Sequence, residues 1–148
     1  MTLRLTNDQI DRFNTEGFLI VEGLVDQKTA VQLRERFDRL FQGDFHTGIK
    51  PDEVNWQEAK SDPHLTRQIC NAWKADPWVG ATVLREDLGR AIAQLGSWPG
   101  TRIAQDNIIS KPPDARAIGY HQDNAYLGWY TPREMLTCWI ALDDVSKE

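Results

Sequence analysis

The sequence predicts an α+β fold, with helices first and strands after. Three observations carry that prediction. Apolar residues recur at spacings of three and four through much of the stretch from Ile10 to Leu95. After Gly96 the pattern turns into short alternating or continuous apolar runs bounded by prolines. The chain of 148 residues holds no internal repeat and is the length of one domain, 1–148, read as helical over 1–95 and β-rich over 98–148.

The elements follow in order. Thr6-Asn7-Asp8-Gln9 has the capping-box pattern, in which a hydroxyl and an amide three residues on satisfy each other's backbone N–H. Ile10 and Phe13 give the helix its apolar side, and Gly17 offers a left-handed cap. Phe18-Leu19-Ile20-Val21 reads as a short buried strand. Asp26 is the N-cap of a second helix with an apolar stripe at Ala30, Leu33, Phe37, Leu40 and Phe41, stopped by Gly43. Residues 43–64, with Gly48, Pro51 and Pro63, read as a long functional loop. A third helical region spans 65–95 and is divided at Pro77, since proline suits a first turn but not an interior. Thr101–Lys111 reads as a strand that Pro112-Pro113 cannot continue. Residues 112–119 are a loop, Tyr120–Tyr126 is extended or loop, Thr131–Glu134 is a turn, and Met135–Leu142 is an apolar strand of a sandwich or barrel.

Composition narrows the function. Leu, Ile, Val and Phe account for 35 of 148 residues, enough for a packed core. No apolar run approaches the ~18 residues of a membrane span, and the start lacks an export signal, so a cytoplasmic protein is expected. The net charge of −5 argues against nucleic acid as the main partner, because phosphate binding needs a basic face. Cys70 and Cys138 are too few for a zinc site or a disulfide scaffold and read as reduced thiols. The six tryptophans pack the core and surface, or line a pocket.

His121-Gln122-Asp123 carries the most chemistry. In an extended chain residues i and i+2 leave the same side, so an imidazole and a carboxylate converge. Those are two of the three ligands of the 2-His-1-carboxylate triad that binds Fe(II) and leaves positions open. Spacing alone is a weak signal: three histidines and 14 aspartates give about 0.3 chance occurrences of His-x-Asp. The plain alternative is a hydrogen-bonded loop histidine beside a turn aspartate.

The flanking residues are more specific. Gln105-Asp106-Asn107-Ile108-Ile109-Ser110-Lys111-Pro112-Pro113-Asp114, then Gly119-Tyr120-His121-Gln122-Asp123-Asn124-Ala125-Tyr126, then Cys138-Trp139-Ile140-Ala141-Leu142-Asp143-Asp144 resemble the phytanoyl-CoA dioxygenase family. The opening Phe13-x-x-x-Gly17-Phe18-Leu19-Ile20-Val21 resembles it too, while residues 43–95 resemble it thinly. The resemblance implies a double-stranded β-helix (jelly-roll) for the strands. It also implies Fe(II), 2-oxoglutarate and O2 as cofactor and co-substrates. Residue by residue, it implies His121 and Asp123 as metal ligands. Gln122, Trp139 and Asn107 would line the 2-oxoglutarate pocket, with Gln105 added by alternation and Arg67 as a basic residue near the co-substrate. Lys111 has no role in it. A carboxylate at 123, where related halogenases carry a small residue, implies hydroxylation. The substrate would be a small molecule, and Tyr126, Trp129 and Tyr130 could wall its pocket.

One departure bears on completeness. The family supplies a distal histidine and a 2-oxoglutarate-clamping arginine later than Glu148, and His46 and His64 match no ligand position. A fragment, or a chain whose sheet is completed by self-association or a further C-terminal segment, is the expectation. Two other classes stay open: a metal-free small-molecule-binding module, and an interaction domain that pairs through Met135–Leu142.

Overall fold

A computed structural model describes residues 2–125, 128 and 134–145. It shows four α-helices and a small antiparallel sheet. Helix α1 (Asn7–Glu16) opens on the capping box: Thr6 N–H donates to Gln9 Oε1 at 2.9 Å and Gln9 N–H to Thr6 Oγ1 at 3.2 Å. Gly17 closes it at φ +78°, a conformation that carries little cost only without a Cβ. Helix α2 (Gln27–Phe41) starts where Asp26 Oδ1 accepts from Thr29 N–H at 2.7 Å, and it buries Ala30, Leu33, Leu40 and Phe41. Helix α3 (Pro77–Val83) has proline in its first turn and Asp76 as N-cap. Helix α4 (Glu86–Gly96) follows almost directly, with its acidic residues Glu86 and Asp87 at the positive end of the helix dipole.

Three strands form one sheet in the order β1 (Glu53–Val54), β2 (Arg67–Cys70), β3 (Asn107–Ser110), antiparallel throughout. Register places Ile69 opposite Ile108 and Gln68 opposite Ile109. Alternation then divides the sheet into two faces. Ile69 and Ile108, both buried, face a core of Leu33, Leu40, Phe41, Trp56, Ala72, Ala75 and Val79. Gln68, Cys70, Asn107 and Ile109 take the other face. Phe41 meets Trp56 edge-on at 6.2 Å, and Asp76, fully buried, binds the Arg36 guanidinium at 2.5 Å.

The mixture of helices and antiparallel strands is the predicted α+β class; among the described residues the sheet has three short strands, which do not by themselves make up the expected jelly-roll. Five elements differ from the sequence reading. Residues 43–64 are not loop throughout: Glu53–Val54 form strand β1, held by pairing with Ile69 and Cys70. Phe18–Val21 is not a strand: Phe18 and Ile20 are exposed, and no neighbouring strand takes their hydrogen bonds among the described residues. Residues 65–76 are not helical. They hold β2 and a short 3-10 turn, Ala72–Lys74, because that stretch lacks the apolar stripe that starts at Val79. The later strand is shorter than Thr101–Lys111, ladder pairing being confined to 107–110. Met135–Leu142 is not in a ladder. Side chains hold that segment instead: Trp98 Nε1 donates to Glu134 at 2.9 Å, and Arg34 donates to the Leu142 carbonyl and to Asp143 Oδ1. Residues 1–95 therefore carry two of the three strands, and 98–148 only one among the described residues. Tyr126, Trp129, Tyr130 and most of the Thr131–Glu134 turn lie outside the described residues. Among the described residues no helix is long and apolar enough to cross a membrane.

Candidate metal centre and groove

The loop after β3 brings the His-x-Asp residues to one point. Pro112-Pro113 end the strand, and the backbone runs without regular structure to a 3-10 turn at Asp123–Ala125, closed by Ala125 N–H on the Gln122 carbonyl. His121 Nε2 lies 3.4 Å from Asp123 Oδ1, with both side chains a little more than one-third exposed. His121 Nδ1 is 2.8 Å from the Gly119 carbonyl oxygen. A carbonyl only accepts, so Nδ1 carries the proton. In the neutral ring the lone pair is then on Nε2, the nitrogen that faces Asp123. Asp123 Oδ2 accepts from the Thr137 hydroxyl at 2.6 Å.

This donor pair suits two adjacent positions on one ion. Ligands bound at about 2.0–2.2 Å and at right angles stand about 3 Å apart, close to the 3.4 Å seen here. Each of the two is in turn held by a further hydrogen bond, the imidazole by a carbonyl and the carboxylate by a hydroxyl, which is the usual support of metal-binding side chains. Among the described residues no group of three or more His, Cys, Asp or Glu forms a metal site, so the donors seen here are a pair. His46 and His64 are both exposed, and the His64 backbone N–H is bonded to Asp62 Oδ1.

The pair opens on a wide groove of about 2860 Å³, larger than the 300–1,000 Å³ typical of a small-ligand pocket. Gln68, Gln105, Asn107, His121, Asp123 and Trp139 are among its lining residues. Trp139 stands 69% exposed at its wall. Asn107 Oδ1 accepts from Gln68 Nε2 at 3.1 Å across the β2–β3 ladder, and Gln105 Oε1 takes the Cys70 thiol at 3.7 Å. The two amides thus have separate partners rather than each other. Burial pushes the Cys70 thiol up, which disfavours its thiolate.

Two expected site residues stand elsewhere. Gln122 is exposed and does not line the groove. Arg67 lies on the sheet face opposite Asn107, with its guanidinium carbon 3.8 Å over the Trp56 ring, a cation–π stack. Its Nε is buried without a hydrogen-bond acceptor. The sequence reading missed Thr137 and Gly119. Thr137 carries one signal, since it is two residues from Trp139 and so shares its side of an extended segment. Gly119 carries none, because a backbone carbonyl has no side-chain signature.

A family model for phytanoyl-CoA dioxygenase (PhyH) matches residues 13–148. No curated protein and no solved structure gives a significant match.

Proposed function

The chain belongs to the phytanoyl-CoA dioxygenase family, and from that premise we propose that it is an Fe(II)- and 2-oxoglutarate-dependent dioxygenase that hydroxylates a small organic substrate. The observation that carries the proposal is the approach of His121 Nε2 to Asp123 Oδ1, 3.4 Å apart on the wall of an open groove. In this reading the two side chains hold the ion, and the Gly119 carbonyl fixes which imidazole nitrogen faces it. An ion held there would supply the O2 activation that is coupled to decarboxylation of 2-oxoglutarate. Gln105 and Asn107 offer amide groups to the co-substrate from the groove wall, and the exposed Trp139 indole offers an apolar plane for a bound molecule to cover. The short sheet and the 134–145 segment are read as part of a jelly-roll.

Anaerobic calorimetry with Fe(II) and 2-oxoglutarate tests this. The expected result is saturable 2-oxoglutarate binding that needs Fe(II) and disappears in His121→Ala. Wild-type protein that binds neither would overturn the oxygenase reading. It would favour a non-catalytic interaction module, for which the exposed Ile103, Ile109, Ile118 and Val145 side chains offer an apolar surface.

A further inference from the structure

We propose that Thr137 is the positioning residue of the His121–Asp123 pair, its hydroxyl holding Asp123 Oδ2 so that Oδ1 alone is presented to an ion; this rests on the metal reading above. The Thr137 Oγ1 to Asp123 Oδ2 distance is 2.6 Å, in the short range of hydroxyl-to-carboxylate bonds. The same carboxylate has its other oxygen, Oδ1, toward His121 Nε2 at 3.4 Å. The two oxygens are therefore divided between a protein donor and the ligand side.

That division has a chemical consequence. A carboxylate with both oxygens free can take two positions on a metal ion. One with Oδ2 committed to a hydroxyl takes one. A site meant to leave positions open for a chelating co-substrate would be served by a carboxylate that takes only one. Thr137 also restrains rotation of the carboxylate, which lowers the ordering cost of binding. The contact joins two segments 14 residues apart, the loop that carries the ligands and the 134–145 segment. Gly119 does the corresponding work for the imidazole with a backbone carbonyl at 2.8 Å.

Co(II) is the probe, because its visible absorption reports coordination without turnover. The intact chain is titrated as wild type, Thr137→Val, Thr137→Ser and His121→Ala. The expected result is Co(II) affinity weakened about 10- to 100-fold in Thr137→Val, with Thr137→Ser within a few-fold of wild type. Thr137→Val should also narrow the carboxylate infrared splitting as the aspartate becomes bidentate. Thr137 is exposed, so the urea midpoint of the metal-free chain should not move. If Thr137→Val does not fold, Thr137→Ala is the substitute. Unchanged Co(II) affinity and spectrum in Thr137→Val, or no rescue by Thr137→Ser, overturns the role of Thr137 and leaves the metal site standing. Equal Co(II) affinity in wild type and His121→Ala overturns the metal reading and this inference with it.

Discussion

Arg67 is a cation seated on an indole, and its surroundings argue for packing more than for ligand binding. Strand alternation sends it to the core face of β2, away from the groove that Asn107 lines. Its stack on Trp56 is worth roughly 0.5–2 kcal/mol. Arg67→Met is expected to lower unfolding free energy by about 1 kcal/mol and to leave 2-oxoglutarate affinity unchanged. Urea unfolding and calorimetry on the same variant separate the two effects, and a large loss of 2-oxoglutarate affinity would return Arg67 to the co-substrate site. The proximity of His121 and Asp123 was readable in advance because it is local, set by two residues of spacing. The Arg67–Trp56 stack and the Thr137 bond were not, because they join residues brought together only by the fold.

At the scale of elements, local chemistry wrote the helices and non-local pairing wrote the sheet. The Thr6–Gln9 box, the Asp26 cap and the break at Pro77 each act within four residues, and each stands where the sequence put it. Strand β2 reads Arg-Gln-Ile-Cys, with one β-branched residue. It is a strand because Arg67–Cys70 finds Asn107–Ser110, some 40 residues on. Phe18–Val21 has the better β composition and finds no partner among the described residues. The join of β2 to β3 therefore rests on the Ile69–Ile108 pair, 0% and 3% exposed. Ile69→Ala and Ile108→Ala are each expected to cost about 2–5 kcal/mol. Because the two side chains touch one another's surroundings, the double variant should cost less than the sum. A loss under 1 kcal/mol for either in urea unfolding would show that this sheet is not where the core is anchored.

For the molecule as a whole, a local ion pair and the backbone hydrogen bonds it makes tie distant segments together and set part of the response to acid. Asp87 is the junction: Arg85 pairs with it at 2.8 Å, the Leu3 backbone N–H donates to it at 2.6 Å, and Arg85 also reaches the Leu24 carbonyl at 2.6 Å. The Arg85 guanidinium, with the Leu3 N–H second, holds the Asp87 carboxyl far below the usual carboxylate range. A carboxyl depressed in the folded state stabilises it fully above the unfolded value of about 3.9 and loses that stabilisation as pH falls toward the folded value. The advantage of wild type over Asp87→Asn should accordingly be flat from pH 7 to about 4 and shrink below. Urea midpoints across that range check it; an advantage already shrinking between pH 7 and 5 would place the titration elsewhere. Asp26 and Asp52 are lowered as well, by the Thr29 backbone N–H and by the Lys74 ammonium, so acid unfolding draws on several sites. The net charge of −5 falls in magnitude as those groups protonate.

The placement of the indoles gives the protein a built-in optical gauge. Trp56 lies shielded beneath a guanidinium, while Trp139 stands in water on the groove wall. In a Trp78→Phe background, since Trp78 is itself exposed, a soluble quencher such as acrylamide will therefore extinguish Trp139 long before Trp56. Whatever fills the groove should protect Trp139 and shift its emission to the blue, so occupancy can be followed by light before any product is identified.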